Sequence, residues 1–439
     1  MEKVFRALKG NVGIGIILII ALVLRLLIMN ELGVEYNMKS DDLQYVKSGI
    51  TFLETGTITM HGVLSAQIMP GMTFIIAFLA LIFGKGYYLM LSIKILWILM
   101  GLASIYFVYR IVRIYSSKIA ACISAAFLLG IDFAWIDNVV LTETPFMLCL
   151  IMLIYHSLML EKTRDKKHFW IINVWYIIGV FLRPNIGIFP IFLILFLLWC
   201  GYDKKLLLKQ TIISLAILLS CLLPWTIRNY YHFNRFIPLT YGSGNPMLLG
   251  TYQGEGYPHD SELDYKKNVD DKMSDEMYSY IYEGNREKDY MLKYYWLEHD
   301  KYKAKYRMEE WWKRDPKSMI YSYMVYKPSM TLYGTYSIDV LGIPSDSNLK
   351  VRSVELILFS LCSMIILLSR NYLKEFTFLI GFYISQIALY AYTYSFSRYG
   401  QTLYCIRFII IGIGLGILFN YIKFLYEKFI NKEKYSGLH

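Results

Sequence analysis

The sequence predicts an α-helical polytopic membrane protein, with about ten transmembrane helices, outer juxtamembrane helices and a mainly helical extracytoplasmic domain. Three observations predict it. Of 439 residues, 56% are hydrophobic. They gather in long runs with few charges, more than a water-soluble fold of this length can bury. The Lys and Arg residues behind the net charge of +11 sit in short segments beside those runs, which is the pattern of membrane orientation.

A span needs roughly 20 residues at ~1.5 Å each. Runs at 12–30, 87–109, 118–136, 139–160, 169–182, 185–201, 207–224, 352–369, 375–395 and 402–424 meet or approach that length. One further run, 68–84, begins Met69-Pro70-Gly71 and holds 17 residues. If it does not cross, nineteen Lys and Arg, from Lys3, Arg6 and Lys9 to Lys432 and Lys434, face the cytoplasm. Only Lys85, Arg183 and Arg398 then lie in short outer turns. If it does cross, every later loop inverts and that asymmetry is lost. The run therefore reads as a juxtamembrane or re-entrant segment on the outer side, and its Pro-Gly start suits an irregular entry. The first run follows a basic start, is long for a signal-peptide core and lacks a small-residue cleavage site, so it reads as a retained signal anchor.

This layout gives an N-terminal transmembrane module (1–224) with a first outer loop (31–86), an extracytoplasmic domain (225–351), and C-terminal transmembrane helices with a cytoplasmic tail (352–439). Both termini are expected in the cytoplasm. In the polar domain, Ser274-Asp275-Glu276 reads as a helix start, Asp315-Pro316 as a break, and a second helix follows to about Met330.

Other readings fall away. The stretch 226–350 holds 17 Lys/Arg against 18 Asp/Glu, so no nucleic-acid-binding face is indicated. The six cysteines lie in or beside apolar runs and form no disulfide or metal pattern. His232, His259 and His299 lack metal-ligand spacing. Gly412-Ile413-Gly414-Leu415-Gly416 lies within a span and reads as close helix packing, not a dinucleotide loop.

Ionisable residues at membrane depth are costly and mark function by default. In this layout Asp41, Asp42, Lys94, Asp132, Asp137, Glu143, Arg183, Arg228 and Arg398 gather at the outer interface. Each has a structural alternative. Ser40-Asp41-Asp42 and Thr142-Glu143 also suit helix N-termini. Arg183 before Pro184 also suits the carbonyls of a helix end. Arg228 and Arg398 also suit interface anchoring, while Arg25, Arg110 and Arg407 read as snorkelling residues.

In order and sidedness these motifs resemble the GT-C-type glycosyltransferases that use polyprenyl-phosphate sugars. The superfamily holding protein O-mannosyltransferases and lipid A aminoarabinose transferases is the nearest in pattern. The resemblance rests on Asp41-Asp42 in the first outer loop with Tyr45, Gly49 and Thr55-Gly56; on Met69-Pro70-Gly71, a partial match; and on Leu141-Thr142-Glu143 and Arg183-Pro184. It rests further on Pro224-Trp225-Thr226-Ile227-Arg228-Asn229-Tyr230 with Phe236-Ile237-Pro238-Leu239 and the Gly242–Asn245 turn, and on Arg398-Tyr399. It covers most of 10–260 and 305–410; residues 258–300, where acceptor choice is expected, match nothing.

The resemblance implies inverting transfer of a sugar from a polyprenyl-phosphate donor to a hydroxyl of a glycan, lipid or protein acceptor outside the cytoplasm. It implies Asp41 as general base with Asp42 as its fallback, Glu143 as an orienting carboxylate, and Arg183, Arg228, Arg398 and Lys94 as holders of the donor phosphate. The donor, the acceptor and membrane lipids are its partners, and the scheme requires no cofactor or metal. A polysaccharide polymerase or ligase and a lipid or glycan transporter are the rival readings. The acidic pair directly after the first span disfavours the former, and the lack of an internal repeat disfavours the latter.

Overall fold

The computed structural model describes residues 12–285 and 287–436. Lys3, Arg6 and Lys9 lie outside the described residues, and so does the start of the N-terminal segment they belong to.

The described residues are mainly helical. α1 (Val12–Leu32) is followed by α2 (Asp41–Thr55), a two-stranded hairpin (β1 Thr59–Met60, β2 Val63–Leu64) and α3 (Gly71–Phe83). Then come α4 (Tyr87–Tyr115), α5 (Lys118–Ala126), α6 (Ile131–Ile136), α7 (Glu143–Thr163), α8 (Lys166–Leu182), α9 (Phe189–Trp199) and α10 (Lys204–Phe233). Among the described residues, six helices are long and apolar enough to cross a membrane: α1, α4, α7, α10, Ser347–Ser369 and the stretch Ser397–Lys428. The exposed Ile, Val and Leu side chains of α1 and α10 (Ile16, Ile19, Val23, Leu208, Ile212, Leu215, Leu219) are what a lipid-facing surface requires. α3 has 13 residues. At roughly 20 Å it is too short to span the hydrocarbon core, in keeping with a segment that does not cross.

Three boundaries depart from expectation. The run 118–136 is not one helix: it breaks at Gly130 between α5 and α6. The next helix starts at Glu143 rather than 139, so residues 137–142 form an irregular link. The helix expected to stop at 224 continues through Pro224 to Phe233 and ends at Asn234, whose φ of 49° is left-handed. The polar segment therefore begins nine residues later than its sequence suggests.

That polar segment holds α11 (Gly244–Gly250), α12 (Asp275–Tyr282), α13 (Asp289–Arg314), α14 (Pro316–Tyr321) and α15 (Lys327–Tyr333). Ser274 caps α12 by accepting from the Met277 N–H, and α13 ends at Asp315 before Pro316, as read from the sequence, but the single helix expected between these points is two: α12 ends at Tyr282 and α13 starts at Asp289. The chain closes with α16 (Ser347–Ser369), α17 (Leu373–Tyr392), α18 (Ser397–Gln401) and α19 (Tyr404–Ser436). The Gly412, Gly414 and Gly416 stripe of α19 packs on Ser124, Cys362 and Ser116, which confirms close packing as its role.

Buried charges tie the bundle together. Arg25 of α1 pairs with Asp137 at 2.7 Å, both essentially inaccessible. Gly101 of α4 makes room for that carboxylate, since a Cβ there would lie 1.9 Å from its Oδ2. Arg352 of α16 bonds Asp132 at 2.6 Å and also pairs with Glu355, which holds Arg407 of α19 at 2.8 Å. Arg25 and Arg407 are thus interior ion-pair partners rather than snorkelling residues. At one end of the bundle, Lys162 stacks on Tyr115 and Arg164 donates to the Cys200 carbonyl. These contacts gather the C-terminal ends of α4, α7 and α9. The start of α7 and the end of α8 lie at the opposite end, and the site is there.

Candidate active site

α2 begins at Asp41. Carboxylates in a first turn face the positive end of the helix dipole, but the two acids of this turn do different work. Asp42 is 1% exposed and accepts the N–H groups of Met38 (2.6 Å) and Ser40 (3.0 Å), so it fixes the turn that enters the helix. Asp41 points the other way, into a cavity of about 800 Å³. Gly49 lets α2 lie directly against α3, where a Cβ would meet Ile76.

The cavity is closed beneath by the starts and ends of three helices. Pro70 caps α3, and Gly71 brings its first turn onto the end of α8: a Cβ at Gly71 would sit 2.4 Å from the Phe181 carbonyl oxygen. Arg183, the residue after α8, lines the cavity at this crossing. Its Nε donates to Thr142 Oγ1 at 2.8 Å and its NH2 to Glu143 Oε1 at 2.5 Å. Thr142 and Glu143 are therefore not simple caps of α7; they receive a guanidinium from 40 residues away. Arg398 of α18 comes from near the chain's end. Its Nε lies 3.1 Å from Glu143 Oε1 and its NH2 3.3 Å from Asp41 Oδ2. Arg183 packs over the Tyr399 ring (5.2 Å) and Arg398 over Phe396 (5.2 Å) and Tyr399 (5.6 Å), which fixes the planes of both guanidiniums.

Four of the seven expected site residues thus share one cavity: Asp41, Glu143, Arg183 and Arg398. The other three stand elsewhere. Asp42 holds backbone, as above. Lys94 donates to the Gly33 carbonyl at 2.9 Å beneath the Tyr36 ring. Arg228 donates to the carbonyls of Ser65 (2.8 Å) and Ile58 (3.2 Å) and lies over Trp225, so it anchors the hairpin to α10. Asp132 and Asp137 are consumed in the interior ion pairs. Local hydrogen bonding, invisible in the motif, decides each case.

Charge and burial divide the roles of the acids. Glu143 is 3% exposed and held by two arginines, whereas the Asp41 side chain is 36% exposed. Tyr45, one turn along α2, is buried; burial and then the neighbouring Asp41 and Glu143 carboxylates push its hydroxyl well above the usual phenol range, so it stays a neutral donor. Among the described residues no three His, Cys, Asp or Glu side chains are grouped as metal ligands; the positive charge of the site comes from guanidiniums.

Several lining residues went unnoticed in the sequence. Asn185 donates to Gln386 Oε1 (2.7 Å) and to the Tyr390 hydroxyl (2.8 Å), and Tyr390 stacks on Tyr399 at 5.0 Å. The polar segment adds Lys293, Trp296 and Asp300, the hairpin adds His61, and Asn245, from the turn already noted in the sequence, joins them. The only sequence signal for the α13 group is its spacing: 293, 296, 297 and 300 fall on one helical face.

Residues 68–227 match the family model described as dolichyl-phosphate-mannose-protein mannosyltransferase. No curated protein matches the chain by sequence. Among solved structures, the chain is similar to the archaeal oligosaccharyltransferase AglB from Archaeoglobus fulgidus in complex with an inhibitory peptide and a dolichol-phosphate. The TM-score is 0.54 at 14% identity, over 96% of this chain and 51% of that one. The apo form of the Archaeoglobus fulgidus enzyme gives a TM-score of 0.51 at 13% identity, over 97% and 52%. ArnT from Cupriavidus metallidurans bound to undecaprenyl phosphate gives 0.41 at 13% identity, over 93% and 78%. The chain spans about half the length of the oligosaccharyltransferase structures it matches. The chain shares the fold of these oligosaccharyltransferase structures and is the helical polytopic membrane protein expected from the sequence.

Proposed function

We propose that the chain is a glycosyltransferase that moves a sugar from a polyprenyl-phosphate carrier to an acceptor hydroxyl on the extracytoplasmic side of the membrane, with inversion at the anomeric carbon. The observation that carries this reading is the cavity in which Asp41 is 36% exposed and lies 3.3 Å from Arg398, beside Arg183 and the buried Glu143. The match of residues 68–227 to a dolichyl-phosphate-mannose-dependent family supports the donor class. The clustering of basic residues at the bundle end opposite the cavity supports its outward orientation, with both termini in the cytoplasm.

The chemistry follows from the side chains. The acceptor hydroxyl oxygen attacks the anomeric carbon and gives its proton to Asp41, the exposed carboxylate of the pair. The bond from the anomeric carbon to the phosphate oxygen breaks, and its electron pair leaves on the polyprenyl phosphate. One carboxylate on the acceptor side suits a single displacement. Arg183 and Arg398 stabilise the charge that grows on the phosphate. A guanidinium carries five N–H donors and the contacts above use two on each, so donors remain for phosphate oxygens. Glu143 holds the two cations 3.1 Å or less from its Oε1 and keeps them apart and oriented. A hydrophobic carrier tail stays in the bilayer while its head group enters at the rim, so no soluble nucleotide-binding domain is needed.

The test uses the full chain in lipid nanodiscs with a radiolabelled polyprenyl-phosphate sugar and total membrane glycoconjugates as acceptors. Label moving into the acceptor fraction is the expected result. Label that moves only from a nucleotide sugar, or crosses a sealed vesicle with no new bond, overturns the reading.

A further inference from the structure

The cavity is larger than the carboxylate–arginine cluster needs. Its far wall is built by α13, which presents Lys293, Trp296, Leu297 and Asp300 at helical spacing to one face. Leu297 is buried, but Trp296 remains 44% exposed at the cavity, an unusual position for an indole. Polar groups flank it. Asn245 Nδ2 donates to Asp300 Oδ2 at 3.4 Å, and His61 and Lys293 line the same space. His61 is held there at a cost. It and Gly62 form the two-residue turn between β1 and β2, and both have positive φ, 54° and 81°. That turn prefers Asn, Asp or Gly at its first position. The turn presents the His61 side chain to the cavity.

We propose that this wall is the acceptor subsite of the transferase and that the acceptor is a saccharide. This rests on the reading of the Asp41 cavity given above. An exposed indole ring offers a flat apolar face to the C–H face of a pyranose, and Asp300, Asn245 and His61 around it supply the donors and acceptors that ring hydroxyls require. A lipid acceptor needs an apolar slot, whereas Lys293, Asp300, Asn245 and His61 bring polar groups to the space around Trp296. Stacking on Trp296 places a sugar in the cavity that holds Asp41, which is where a hydroxyl must lose its proton.

Saturation-transfer NMR on the full chain in nanodiscs tests this, with a panel of methyl pyranosides as probes and a panel of Ser/Thr peptides beside them. The expected result is saturation of ring C–H protons in at least one pyranoside, weakened about tenfold or more by Trp296→Ala, retained by Trp296→Tyr and weakened by Asp300→Ala. Saturation of peptides with none in any pyranoside overturns the proposal, and so does a pyranoside signal that Trp296→Ala leaves intact. Binding of undecaprenyl phosphate to the wild-type chain is measured in the same nanodiscs. Failure there removes the donor reading, whereas failure of the pyranosides alone removes only the acceptor assignment.

Discussion

Arg398 reaches back across 357 positions of chain to place its NH2 3.3 Å from the Asp41 carboxylate. The bond is long and partly solvated, so it orients the acid without consuming it. The neighbouring Glu143, by contrast, is locked by Arg183 at 2.5 Å.

Asp41→Asn keeps the shape of the side chain and removes its basicity. Sugar transfer falls by about 10²–10⁴-fold, the usual worth of a positioned general base. Thermal unfolding in detergent is little changed, because among the described residues the Asp41 carboxylate pairs only with Arg398. Transfer at the wild-type rate moves the base to another group.

Arg183→Lys retains the charge but loses the planar fork that holds Thr142 and Glu143 together. The donor KM rises by about tenfold or more, and the variant unfolds at lower temperature because Glu143 is left with one firm partner. An unchanged donor KM excludes Arg183 as a phosphate contact.

Arg228→Ala behaves differently. Its bonds go to the Ser65 and Ile58 carbonyls, so its loss frees the hairpin from α10. Stability drops by about 1–3 kcal/mol while the donor KM stays near wild type. A donor KM shifted as far as in Arg183→Lys places Arg228 in the site after all.

Lys327 of α15 is fully buried, donating to the Thr393 carbonyl at 3.1 Å over the Tyr323 ring, and burial pushes its ammonium down to about 7. The unfolded chain then holds a proton that the folded chain has lost between pH 7 and the ordinary lysine value, so stability from this group rises with pH across that window. A thermal-shift series from pH 6 to 9 rises in the wild type, and Lys327→Met flattens it. Parallel curves for the two proteins exclude this lysine as the titrating group.

The helical membrane fold and the four residues of the cluster were legible because each rests on a signal the chain carries locally: apolar length, basic flanks, and short motifs such as Thr142-Glu143 and Arg183-Pro184. What stayed hidden depended on contacts distant in sequence. Lys94 looked like a phosphate ligand until Gly33, 61 residues away, supplied its carbonyl. Asp132 and Asp137 looked like site acids because their partners, Arg352 and Arg25, lie 220 and 112 positions off. The break at Gly130 was masked by apolar neighbours on both sides. The α13 wall was concealed by composition, since a Tyr-, Lys- and Glu-rich helix does not reveal which face meets a cavity.

The pairing of Arg25 with Asp137 also constrains the order in which the protein is built. A guanidinium in the middle of an apolar helix is poorly tolerated in hydrocarbon by itself, and its counter-ion is translated 112 residues later. Until that stretch emerges from the ribosome, the first helix must keep Arg25 wet or sheltered. The bundle around α1 therefore locks only once synthesis has passed Asp137, 112 residues beyond Arg25, and insertion of α1 is completed by a segment that follows it.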